Sequence, residues 1–318
     1  MTGWRYRAFG LELESSFPLP GMEVVAPHGR ADLALWLAEP GEVARRYSGR
    51  RGEPVWETVF PDGCSFTVEA GMLGDRLFTY GERAAFLLWM AAGTLHCAPA
   101  DRDDPAWQRQ LLDTVLLSAS HLHGFELVHA SAVVHPEGVI AIAADTGGGK
   151  TSLAAELVRR GHPLFADDIV ALGRRGWRIF AHPAPPVMNL SHDQAAADAI
   201  GTPLAVFPGE DETWIAVEGA AHAPAAPGAV FLLERRPGSE TAVERLSPNA
   251  LHLLPYSVGY HARPERQRTR FELLSDLAAA TPVLRLRADS ATTPAELADL
   301  LEDALAAERG LAIGWAGA

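Results

Sequence analysis

Three consecutive glycines followed by lysine and threonine stand between an apolar segment and a helical one, and no other feature constrains this chain as much. Val139 to Ala144 (VIAIAA) reads as a strand, and DTGGGKT follows it without a break. Beyond the glycines, Leu153, Ala154, Leu157 and Val158 recur at helical spacing until Gly161 ends the helix. The run Ala144 to Thr151 matches the phosphate-loop pattern G-x-x-x-x-G-K-[ST] everywhere except its first position, which is alanine. Consecutive glycines let the backbone curl with its N–H groups inward, so that amide dipoles and the start of the next helix cradle a polyanion. Asp145, Thr146, Gly147, Gly148, Gly149, Lys150, Thr151 and Ser152 are therefore expected around the phosphates of ATP. Lys150 would reach the β and γ phosphates, and the Thr151 hydroxyl would ligate Mg²⁺.

The neighbouring text supports such a site. LVHASAVV and VIAIAA are β-rich runs separated by His135-Pro136-Glu137-Gly138, a hairpin pattern. After the helix, Pro163 to Leu172 reads as another strand, and it carries Asp167 and Asp168. An acidic residue on an apolar strand beside a phosphate loop is where such proteins hold Mg²⁺ or its waters. Side chains alternate faces along a strand, so both carboxylates can serve one site only if the strand breaks or bends there.

Forty acidic against 27 basic side chains leave a net charge of −13, which argues against nucleic acid and anionic membrane as partners. Two cysteines, Cys64 and Cys97, supply neither a disulfide framework nor a thiolate zinc site, and the start MTGWRYRAFG lacks an export pattern. The expected location is the cytoplasm. Ala84 to Leu95 (AAFLLWMAAGTL) is too short to cross a bilayer and is expected as a buried helix. From Trp4 to about Pro99 short strand-like runs alternate with Gly and Pro, and Phe9, Leu11 and Leu13 alternate with outward Glu12 and Glu14. Asp104 and Pro105 read as N-cap and first-turn proline of a connecting helix that Gly124 stops. The expected fold is α/β, with a mostly β, mostly antiparallel N-terminal domain over residues 1–103 and a phosphate-loop domain over 104–318 that includes the connecting helix 104–123. Farther on, 219–228 reads as a linker or surface excursion, and Thr293-Pro294 opens a closing helix.

His129, fifteen residues before Ala144, the loop ADTGGGKT, the helix end ELVRRGH and the strand ending ADD occur together at compatible spacing. In this combination the stretch His129 to Asp168 resembles the catalytic core of the bacterial HPr kinase/phosphorylase family, which phosphorylates a serine hydroxyl on a carrier protein. The resemblance implies Asp167 as general base, Asp168 as metal ligand, His129 as an assisting group and Lys150 on the phosphates, with ATP and Mg²⁺ as cofactors. No E-x-R-G element follows the aspartates. That departure points away from the phosphorylase reaction and from HPr itself. The β-rich N-terminal half makes the chain look more like the relatives encoded with lasso-peptide pathways, which phosphorylate the C-terminal serine of a precursor peptide.

The implied partner is thus a serine-bearing peptide or protein, with a second copy of the chain as a further candidate. A carrier-protein kinase, a small-molecule kinase and a non-catalytic nucleotide-binding module stay open as alternatives. Arg263, Arg266, Arg268 and Arg270 form a basic cluster that would suit a lid over the γ-phosphate or a carboxylate-ended peptide, and equally a solvated helix face. Arg235 and Arg236 are weaker candidates for the same work. The Pro-rich run from His182 to Asp193 is a candidate border of the acceptor site. His121/His123 and His192 lack partners at metal-ligand spacing, and no zinc is expected.

Overall fold

The computed structural model describes residues 3–27, 29–48, 52–60, 63–71, 74–198, 200–207, 211–259 and 264–315. It is a mixed α/β structure with two large sheets and a small one. The first large sheet has eight strands in the order Trp4–Ala8, Leu11–Ser15, Leu33–Leu37, Thr94–Pro99, Ala84–Trp89, Arg76–Tyr80, Ser65–Ala70, Glu53–Val59. Its pairings are antiparallel except on either side of Leu33–Leu37, where both are parallel. The first two strands form a hairpin whose two turn residues, Phe9 and Gly10, have φ of 52° and 84°. A two-residue turn with both φ positive matches the right-handed twist of the flanking strands. Leu11 and Leu13 face the core as their alternation predicts, while Glu12 and Glu14 pair with Arg7 and Arg5 across the hairpin.

The helix expected over Ala84 to Leu95 is absent. Ala84–Trp89 is a strand, Met90–Ala92 a single 3₁₀ turn, and Thr94–Pro99 the next strand, paired with the first from Ala84↔Pro99 to Trp89↔Thr94. A continuous apolar run buried on both faces carries no period, so helix and strand look alike in it. Gly93, at φ 62°, closes the turn.

The second large sheet surrounds the hairpin Glu126–His135 and Gly138–Ala144. Gly138–Ala144 pairs in parallel with Pro227–Arg235, which pairs in parallel with Val283–Ala288. Ile140, Ile142 and Ala144 point to one face and meet Leu153 and Leu157 of the helix Lys150–Arg159 and Leu297 and Leu301 of the closing helix Pro294–Trp315. Val139 and Ala143 point to the other, where the connecting helix and the helix Pro264–Ala280 lie. Covering both faces is what makes these strands apolar throughout. Asp104 accepts from the Ala106 N–H at 2.9 Å, as an N-cap should, but residues Leu111–Val115 form a π-helical turn before Leu116–Leu122 resumes the α-helix.

Segment 219–228 is no free excursion. Ala221 N–H donates to Leu164 O, and Ala225 exchanges backbone bonds with Ala181, so the segment is tied along the sheet. The Pro-rich run is not all loop either: Val187–Leu190 forms a third, three-stranded sheet with Glu212–Val217 and Gly201–Phe207. No helix among the described residues is long and apolar enough to cross a membrane.

Candidate active site

The glycine segment joins the strand Gly138–Ala144 to the helix Lys150–Arg159. Gly147 and Gly149 have φ of 76° and 92°, which side-chain-bearing residues rarely adopt, and Gly148 N–H donates to Asp145 O at 2.8 Å. A Cβ on Gly148 would lie 2.8 Å from both the Asp145 carbonyl oxygen and the Ala144 methyl. Alanine at the first pattern position is accommodated because Ala144 is fully buried at the strand end, with glycine opposite it.

The segment opens onto a cleft of about 780 Å³. Of the residues expected around the phosphates, Thr146, Gly147, Lys150 and Thr151 line it; Asp145, Gly148, Gly149 and Ser152 do not. Ser152 instead accepts a hydrogen bond from Gln194 at 2.7 Å. Lys150 is buried along its stem and places Nζ 2.8 Å from Asp168 Oδ1.

The expected strand 163–172 is two strands, Leu164–Ala166 and Ile169–Arg175, interrupted at the aspartates, with Asp168 at φ 65°. Both pair with Glu126–His135. The left-handed residue overrides alternation, and both carboxylates line the one cleft. On the hairpin strand, His129 and Ser131 are two apart and share a face. His129 Nε2 lies 3.0 Å from Asp168 Oδ1, and the Ser131 hydroxyl donates to Asp167 Oδ1 at 2.8 Å. An ionised carboxylate only accepts, so Nε2 of His129 carries the proton here. Asp167 Oδ2 accepts from the Asn189 N–H at 3.1 Å.

These surroundings separate the two carboxyls. Burial pushes Asp167 above its ordinary value and the Asp168 charge adds to this, against the bonds from Ser131 and Asn189. For Asp168 burial acts in the same sense, but the bonds from His129 and Lys150 outweigh it and hold the carboxyl down at about 2.

Sequence reasoning missed a third carboxyl. Asp113 sits on the π turn of the connecting helix and lines the cleft. Desolvation pushes it up to about 7; Arg109 opposes this, and the charges of Asp168 and Asp167 reinforce it. Arg109 Nε is 3.6 Å from Asp113, its guanidinium stacks 4.5 Å over Phe207, and it pairs with Glu212. The one signal available was a charged pair at i and i+4 on an otherwise apolar helix. Tyr80 of the first sheet, with Phe60 and Arg83 from its connections, also reaches the cleft, as do Pro185 and Asn189 of the Pro-rich run.

The basic cluster does not belong here. Arg266 and Arg270 lie 2.7 and 3.2 Å from the two oxygens of Glu126, which is buried at the base of the hairpin, and Arg268 pairs with Glu272 on the surface. A buried carboxylate needs compensating charge, and that need explains the two inner arginines. Arg263 lies outside the described residues. Among the described residues no group of three or more His, Cys, Asp or Glu side chains is placed to hold a metal by itself. The oxygens of Thr151 and Asp168 are hard donors of the kind Mg²⁺ shares with substrate phosphates.

No family model matches the chain, and no curated protein matches it. Among solved structures, the HPr(Ser) kinase/phosphatase from Coxiella burnetii aligns with a TM-score of 0.33 and 12% identity, covering 59% of this chain and 98% of that one. A likeness of that degree leaves the functional reading to the cleft itself.

Proposed function

We propose that this chain is an ATP-dependent kinase of the HPr-kinase-like type, transferring the γ-phosphate to a serine hydroxyl of a peptide or protein. The acceptor to test first is the C-terminal serine of a lasso-type precursor peptide. One observation carries the reading: Lys150 and Thr151 of the glycine segment share a cleft with a deeply held carboxyl, Asp167, and an ionised one, Asp168.

In this reading the loop amides and Lys150 hold the β and γ phosphates. Lys150 exchanges Asp168 for the polyanion as it does so. Thr151 and Asp168 would hold Mg²⁺, which when bound neutralises charge on the phosphoryl group. Asp167 takes the proton of the acceptor hydroxyl as its oxygen bonds to the γ-phosphorus and the bond to the β–γ bridging oxygen breaks. A base with a raised pKa suits that task, and Ser131 and Asn189 fix its two oxygens. His129 holds Asp168 in place beside it.

The test is incubation of the full chain with γ-labelled ATP, Mg²⁺ and peptides that end in serine, beside peptides with internal serine and small hydroxyl compounds, read by mass spectrometry. Phosphoserine at the terminal position is the expected product. Nucleotide binding without transfer to any acceptor would make the chain a binding module and end the kinase reading.

A further inference from the structure

We infer that Arg235 grips the polyphosphate at the Gly149 end of the glycine segment, so that two cations, Lys150 and Arg235, hold the anion. This rests on the phosphate-loop reading above. In the parallel pairing, Ala144 is level with Leu233, so Arg235, two residues on, stands at the height of the glycines. Its Nη2 donates to the carbonyls of Ser290 and Thr292, the latter at 2.8 Å, in the segment that leads into the closing helix. Those two bonds fix the plane of the guanidinium.

The other edge faces the loop. Arg235 Nη1 lies 2.9 Å from where a Cβ on Gly149 would be, so any side chain there would push the arginine away. Among the described residues Nη1 has no hydrogen-bond acceptor and Nε is buried without one. Among the described residues no carboxylate lies within ion-pair distance of Arg235, although the chain carries a net charge of −13 and Asp289 is near enough to feel the Arg235 charge. With Nη2 committed to two carbonyls, no two-pronged edge is left, and Nη1, touching the last glycine, offers a phosphate oxygen a single charge-assisted contact. Arg235 does not line the cleft, whereas Lys150 does. The polyphosphate would then run across the glycine segment, with its γ end at Lys150 in the cleft and its other end toward Arg235.

The experiment is calorimetric titration of the full chain and two variants, R235Q and R235K, with Mg-ATP and with Mg-tripolyphosphate, alongside thermal melts of each unliganded protein. R235Q removes the charge and should weaken both ligands by about tenfold or more. R235K keeps the charge but loses the paired carbonyl bonds; it should melt lower yet bind within about threefold of the parent. R235Q binding both ligands like the parent overturns the inference. So does R235K losing affinity as badly as R235Q, because Arg235 would then be only a brace for the closing helix. Should R235Q not fold, R235M takes its place, with the same expected loss of affinity and the same overturning result. Failure of the parent to bind either ligand would instead sink the phosphate-loop reading itself.

Discussion

Asp167 and Asp168 are chain neighbours whose carboxyls shift in opposite directions: burial and the Asp168 charge raise the first, against bonds from Ser131 and Asn189, while a histidine and a lysine hold the second down. Replacing Asp167 by Asn keeps the shape and removes the proton acceptor. Turnover should fall by roughly 10²–10⁴ with ATP affinity unchanged; transfer at the parent rate would refute the base assignment. Asp113 gives a pH signature. Its folded pKa, about 7, lies above the ordinary carboxylate value, so the folded state holds the extra proton. The stability it contributes is complete below that ordinary value and is lost as pH rises through about 7. Asp113→Asn, which cannot ionise, should therefore gain on the parent in urea denaturation as pH is raised from 5 to 8. A difference that stays flat with pH would show that the carboxyl is not desolvated.

At the scale of elements, the glycine segment works by backbone shape. Gly148→Ala places a methyl against the Asp145 carbonyl and the Ala144 side chain, forcing the loop open. ATP affinity should drop below detection by titration while the melting temperature changes by only a few degrees, since the strand and helix on either side are held by a core they share. This loop, the hairpin before it and the helix after it were legible in the sequence because their signals are local: turn residues, a period, a stop glycine. The break at Asp167-Asp168 was legible only as a condition, since nothing in the letters ADD specifies a positive φ. Ala84 to Leu95 misled because an apolar run buried on both faces has no period to read. Asp113 was hidden by its π turn, which shifts residues off helical spacing, and by surroundings far along the chain: Asn189 beside it, and Glu212 beside its neighbour Arg109. For the same reason the arginine cluster near residue 266 drew attention as a site when its partner, Glu126, lies 140 residues earlier.

Across the whole molecule, one apolar core runs from Tyr6, Leu13 and Phe86 of the first sheet through Trp107 and Leu111 of the connecting helix to Leu127 and Leu274. Trp107 is 2% exposed and meets Phe17 at 5.5 Å, so it belongs to both halves. Scanning calorimetry should show a single transition, and Trp107→Ala should lower stability by about 3–5 kcal/mol without splitting it. Two resolved peaks would mean that the halves melt independently. The cleft is shared in the same way. Phe9 lines it from the tip of the first hairpin, where its N–H donates to Pro183 O at 2.8 Å and its carbonyl accepts from Ser120 at 2.7 Å. The opening hairpin is thus fastened to segments more than a hundred residues farther along the chain, and a variant lacking Trp4 to Ser15 would lose one wall of the cleft.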